Sequence, residues 1–201
     1  MNKIKNIIFD FGGVLVDWNP EYLYRKLFDN ASDMHYFLEN ICTPAWNVQQ
    51  DAGRTLAEGT KELQKEHPEY KEMIGHYYGR WEEMLGGVID DNVRVLHLLK
   101  KKYPLYGLTN WSAETITIAY DRYDFFRHLK GIVVSGDEKL IKPNPKLYQV
   151  MLERYDLKAN QSLFIDDNIH NIEVARKMGF HTIQFTKNVD LEKELKELGV
   201  L

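Results

Sequence analysis

From about residue 90 to its end, the chain alternates short apolar runs with segments of helical spacing, and few folds accept that pattern. Asp90 to Lys102 carries apolar side chains at helical intervals. A strand-like run at Leu105 to Thr109, a helical stretch from Ser112 to about Tyr123 and a second run at Gly131 to Ser135 follow. Helix Pro145 to Tyr155, strand Ser162 to Ile165, helix Asn168 to Met178, strand His181 to Phe185 and helix Asp190 to Leu198 complete the series. The implied class is α/β: a doubly wound, Rossmann-like parallel sheet with helices on both faces.

One further strand-like run, Ile4 to Phe9, stands alone at the other end of the sequence. Between it and residue 90 the reading is helical, near Glu21 to Phe28, Asp33 to Ile41, Leu56 to Glu66 and Tyr70 to Leu85, with no convincing strand. One strand is too little sheet for a separate domain. The expected organisation is a core of residues 1–15 and 88–201, with a helical insertion at 16–87.

At 201 residues, 44% of them hydrophobic, the chain can bury a substantial core. A net charge of -4, with no basic run interleaved with aromatics, argues against nucleic acid as a partner. No apolar run approaches the roughly 18 residues of a membrane span. Asp10 interrupts the first apolar stretch and no small-residue cleavage site follows, so a cytoplasmic protein is expected. Cys42 is the single cysteine, which excludes an internal disulfide and reads as a packed residue.

Ligands of open α/β sheets sit at the carboxyl ends of strands, and polar residues stand there in this chain. Asp10 ends the first apolar run, just before Gly12-Gly13. It is a plausible nucleophile, although an Asp in that setting also serves as a turn cap. Thr109 and Asn110 end the next run; they could hold a phosphate oxygen or simply form a turn, with Ser112 capping the helix that follows. Lys142, held extended by Pro143, could neutralise phosphate charge or be solvated. Asp166 and Asp167 are the sharpest signal, because adjacent carboxylates at a buried strand end repel unless a cation or a proton separates them. With no His or Cys beside them, the oxygen donors point to a hard ion such as Mg2+, the competing reading being helix capping.

Taken in order, Asp10 in Phe9-Asp10-Phe11-Gly12-Gly13-Val14-Leu15, then Thr109-Asn110, Lys142-Pro143, and Asp166-Asp167 with Asn171, resemble the four motifs of the haloacid dehalogenase superfamily. The helical insertion looks like the cap of the subfamily that places it after the first motif. The resemblance implies a phosphatase acting on a small phosphorylated metabolite through an aspartyl-phosphate on Asp10. It implies Mg2+ held by Asp10, the Gly12 carbonyl and Asp167, with Asp166 orienting a metal water. Phe11, Gly12, Thr109, Asn110 and Lys142 would surround the phosphoryl group.

The pattern breaks at Gly12, where most phosphatases of this superfamily carry the aspartate that protonates the leaving group. Three alternatives stay open: Asp17 substitutes as acid and base, the leaving group is good enough to need less help (a sugar 1-phosphate, for example), or the protein is a binding module on a retired core. Halide displacement from a 2-haloacid is weaker, since the Tyr and hydroxyl residues that go with it are absent. In the insertion, Trp46, Asp51 and Arg54 could contact a sugar; alternatively Trp46 is core and Arg54 a surface partner of Asp51. A monomer or weak dimer is expected.

Overall fold

The computed structural model describes residues 3–201. Strands β1 (Asn6–Phe9), β4 (Leu105–Thr109), β5 (Gly131–Val134), β6 (Ser162–Asp166) and β7 (His181–Gln184) form one parallel sheet. Their spatial order is β5-β4-β1-β6-β7. The first strand is therefore central, and the order reverses around it; this is the place where an open α/β sheet leaves a crevice.

Both faces of the sheet are covered, which explains the unbroken apolar runs. Ile7, Phe9, Leu163 and Ile165 point to one side, into a core that includes Val95, Leu96 and Leu99 of α6 (Asp90–Leu99). Ile8, Leu108, Val133 and Phe164 point to the other. There they meet Leu147, Tyr148 and Met151 of α9 (Pro145–Arg154), and Ile172 and Ala175 of α10 (Ile169–Lys177). The last helix, α11 (Leu191–Glu197), is started by the Asp190 side chain, which accepts from the Lys193 amide. No helix among the described residues is long and apolar enough to cross a membrane.

Within the insertion the structure corrects the expectation of no strand. Val16–Trp18 (β2) and Leu85–Val88 (β3) pair antiparallel, so the chain leaves the core and returns to it through a two-stranded ribbon. Neither segment has strand composition, one holding a central Asp and the other two glycines. The pairing comes from their being the two ends of one excursion. A Cβ at Gly86 would lie 2.5 Å from Asp17 Oδ2 and 2.6 Å from the Tyr22 ring, so only glycine lets the ribbon close there.

Between the two strands lie α1 (Glu21–Tyr24), α2 (Ala31–Asn40), α3 (Pro44–Asp51), α4 (Leu56–Glu66) and α5 (Lys71–Gly79). The third was not expected, since its Asn and Gln hide the period; Thr43 caps it and Pro44 starts it. The long helix expected over residues 70–85 is instead α5 followed by a 3₁₀ turn at Trp81–Met84. Two further differences lie in the core. Helix α7 (Ile116–Arg122) begins four residues after Ser112, whose hydroxyl accepts from the Glu114 amide in a local turn instead. A one-turn helix α8 (Ser135–Glu138) directly follows β5.

Phe11, fully buried, lies against Gly107 of the neighbouring strand and meets Phe126 edge-on at 4.9 Å. A Cβ at Gly107 would come within 2.1 Å of the Phe11 ring. Gly107→Ala is expected to cost about 1–3 kcal/mol through overpacking. Urea unfolding should show a lower midpoint at unchanged slope; an unshifted midpoint would contradict the packing described.

Candidate active site

Asp10 extends the central strand by one residue, its amide donating to Ile165 O at 2.8 Å. Its Oδ1 accepts from the Phe11 amide at 2.7 Å, which fixes the side chain at the sheet's carboxyl edge. Behind it the chain turns sharply, with the Leu15 and Val16 amides both donating to Phe11 O. Gly13 has φ +71, and a Cβ on it would lie 2.4 Å from Asp167 Oδ2. Glycine is needed there twice over, for the backbone conformation and for the approach of a carboxylate.

Asp166 ends β6 with no exposed surface and is saturated with donors. It accepts from the Asn168 amide at 2.8 Å, from Asn171 Nδ2 at 3.0 Å on each oxygen, and from Lys142 Nζ at 2.7 Å. Asn171 is steadied in turn by Tyr148, whose hydroxyl donates to its carbonyl. Asn168 caps α10, so neither aspartate does. Lys142 is buried, not solvated; its ammonium also lies 2.9 Å from Asp10 Oδ1 and 5.5 Å from the centre of the Phe164 ring.

Asp10, Asp166 and Asp167 each present a carboxylate oxygen, all within 4.8 Å of one another. Three carboxylates thus share one ammonium. Burial, against the pull of Lys142 and with the push of the other two acids, raises Asp10 to about 7. Asp167 is raised by burial of its carboxyl and by Asp166. For Lys142, burial opposes the charge, but Asp10 and Asp166 outweigh it and the ammonium is held above its ordinary value. The excess negative charge matches what one divalent cation could neutralise, with oxygen donors suited to a hard ion.

Thr109 ends β4, the strand beside β1, with its hydroxyl buried and without a partner among the described residues. Asn110 also has a structural task. Its amide donates to Lys142 O at 3.0 Å and accepts from Lys142 N at 2.7 Å, a bracket that sets the lysine's backbone. An amide side chain matches a backbone N–H and C=O pair in that two-bond ring. Asp17, on β2, accepts from the Tyr22 hydroxyl at 2.7 Å and lines a cleft with Gly13, Val88 and Phe185.

A second cavity, of about 80 Å³, opens where the insertion meets the core. Gly12, Asn110 and Trp111 border it from the core, and Trp18, Asp51 and Tyr78 from the ribbon and insertion. The insertion is fastened beside it. Ser135 Oγ donates to Asp51 O at 2.6 Å and accepts from the Trp111 amide, and the Leu56 amide donates to Glu114. Ser135 gave no signal in the sequence beyond ending a strand. Trp46 packs on Tyr77 and Tyr78 at 5.0 and 5.3 Å and belongs to the insertion's core. Arg54 pairs with Glu62 and Gln50, not with Asp51 as expected.

A family model described as haloacid dehalogenase-like hydrolase matches residues 7–185. D-ribitol-5-phosphate phosphatase of Bacteroides thetaiotaomicron is 25% identical over 210 residues, covering 96% of this chain and 97% of its own. A crystal structure of a HAD family enzyme from Bacteroides thetaiotaomicron, in complex with magnesium and inorganic phosphate, superposes with a TM-score of 0.71 at 22% identity, covering 95% of this chain and 98% of that one. (S)-2-haloacid dehalogenase 4A of Burkholderia cepacia is 28% identical over 98 residues, 48% of this chain and 42% of that protein.

Replacing Lys142 by Met leaves Asp10 and Asp166 buried without a counter-charge. The expected loss of stability near neutral pH is about 3–5 kcal/mol. In the variant the Asp10 carboxyl, already raised by burial with Lys142 present, binds its proton still more tightly folded than unfolded. Stability is then greatest below the unfolded value of about 4 and falls as pH rises. Denaturant titration at pH 8 and pH 5 should show the larger loss at pH 8; equal losses would contradict the charge count.

Proposed function

The chain belongs to the haloacid dehalogenase-like hydrolases, and on that premise we propose that it is a Mg2+-dependent phosphatase of a small phosphorylated metabolite, working through a phosphorylated Asp10. The observation that carries this reading is the cluster of buried Asp10 and Asp166, both paired with the ammonium of Lys142, with the exposed Asp167 carboxylate beside them. Relatives support it: one is named for removal of phosphate from D-ribitol 5-phosphate, another is crystallised with magnesium and inorganic phosphate.

The donor set suits the ion. Asp10, Asp167 and the Gly12 carbonyl would hold it, while Asp166, already accepting from Lys142, Asn168 and Asn171, is better suited to orienting a bound water. Bound there, Mg2+ would screen the phosphate from the carboxylates and polarise the phosphoryl oxygens. The chain's own residues then have distinct tasks. Asp10 Oδ1 is engaged by Phe11 N–H and Lys142, which leaves Oδ2 to attack phosphorus. Lys142 Nζ supplies positive charge to the transferring group, and Asn110 keeps that lysine in register. The unpartnered Thr109 hydroxyl is placed to donate to a phosphoryl oxygen. In this reading the insertion at 16–87 is a cap that closes over the site and excludes water.

The leaving group would occupy the cavity beneath the cap. Trp18, Tyr78, Trp81 and Trp111 border it and no Lys or Arg does. That lining suits an uncharged hydroxylated group, such as a sugar or polyol, better than a second phosphate or a carboxylate.

Orthophosphate release from p-nitrophenyl phosphate and from a panel of sugar and polyol phosphates tests the proposal. Release should require Mg2+, stop on chelation and fall to background in Asp10→Asn. A protein that binds Mg2+ but releases no orthophosphate from any of these esters would be the binding module that Gly12 leaves open.

A further inference from the structure

Gly12 leaves the leaving group without its usual proton donor, and the cavity it borders is also lined by a carboxyl. Two of the residues around that cavity can titrate, Asp51 and Tyr78. Tyr78 is unsuited: its hydroxyl donates to Asn47 Oδ1, accepts from Gln50, and is pushed far above its ordinary value by burial. Asp17, the expected substitute, is held by Tyr22 at the other cleft. Asp51 ends α3 and borders the same cavity as Gly12 and Asn110. Its position is fixed to the core through its own carbonyl, which accepts from Ser135.

We propose, resting on the phosphatase reading, that Asp51 is the general acid and base of this enzyme, supplied by the cap in place of the residue missing at position 12. As Asp10 forms its bond to phosphorus, the bond to the leaving oxygen breaks, and that oxygen keeps the electron pair and takes the proton of the Asp51 carboxyl. The neutral alcohol departs. The Asp51 carboxylate then takes a proton from water as the water oxygen attacks phosphorus. The bond to Asp10 breaks, orthophosphate leaves, and Asp10 and the protonated Asp51 are both restored.

The surroundings suit a group that must hold and give up one proton. Burial raises the Asp51 carboxyl to about 7, against the Ser112 backbone N–H, which favours the charged form. Asn47 Nδ2 lies 3.3 Å from Oδ2, and the charge of Asp51 acts on the phenols of Tyr77 and Tyr78, raising both. No ammonium or guanidinium is bonded to it among the described residues, so it is free to be neutral. Closure of the cap brings the acid to the site, which couples proton transfer to exclusion of water.

The test is leaving-group dependence. The kcat/KM of wild type, Asp51→Asn and Ser135→Ala is measured on aryl and benzyl phosphates of increasing leaving-group basicity, from p-nitrophenyl through phenyl to benzyl. General-acid loss of about 10²- to 10⁴-fold is expected in Asp51→Asn on the most basic leaving groups, and much less on p-nitrophenyl phosphate. With that ester the variant should also release a burst of nitrophenolate while phosphorylated enzyme accumulates, because the base for the second step is gone. Ser135→Ala, which loosens the docking alone, should lower all esters in parallel. A parallel loss in Asp51→Asn, or none, would overturn the assignment with the phosphatase reading intact. A wild-type protein inert toward the whole series would overturn both.

Discussion

Two buried carboxylates paired to one ammonium, with the exposed carboxylate of Asp167 close beside them, are the constraint on which the rest of this molecule depends. Such a cluster is unfavourable alone, because burial and mutual repulsion both resist ionisation. Its neighbours make it tenable. The central strand and β6 run side by side, so Asp10 and Asp166 emerge at the same edge of the sheet. Phe11, Asn168 and Asn171 donate hydrogen bonds to them, and Asn110 anchors the segment that carries Lys142. Gly13 has no side chain where Asp167 needs room. The topology and the chemistry are one arrangement seen at two scales.

The insertion answers a different need. A site that stabilises phosphoryl transfer by charge works best away from water, yet substrate must enter. A two-stranded ribbon gives the helical block a narrow attachment, and Ser135, Ser112 and Glu114 give its far side a place to dock. The cavity left between the two parts is walled by aromatic rings and bordered by a carboxylate that the core alone does not possess. Under the proposed reading, recognition and proton transfer both come from the insertion.

The sheet was legible in the sequence because parallel strands buried on two faces leave uninterrupted apolar runs, as at Leu163-Phe164-Ile165. Asp10, Lys142, Asp166 and Asp167 were legible as candidates, since each follows such a run or directly precedes a constraining Pro, and the structure brings them together. The ribbon was not, because Val16–Trp18 and Leu85–Val88 become strands through each other and not through composition. Nor was the part played by Asn110, whose amide could as well have faced a ligand as a backbone. Asp51 stands out in the sequence but its partners do not: Arg54, three residues on, turns to Glu62, and besides Asn47 on its own helix the contacts of Asp51 come from Ser112 and Ser135, far along the chain.

The most direct measurement of the central claim is thermal unfolding with and without Mg2+ at pH 5 and pH 8. Asp10 sits at about 7 in the folded chain against 3.8 for the free group, so the stability it contributes is present below about pH 4 and lost as pH rises through 7. An ion seated among the three carboxylates removes that loss. Mg2+ should therefore raise Tm markedly more at pH 8 than at pH 5, and the gain should vanish in Asp167→Asn. An equal shift at both pH values, no shift at either, or a gain that survives loss of Asp167 would contradict the account.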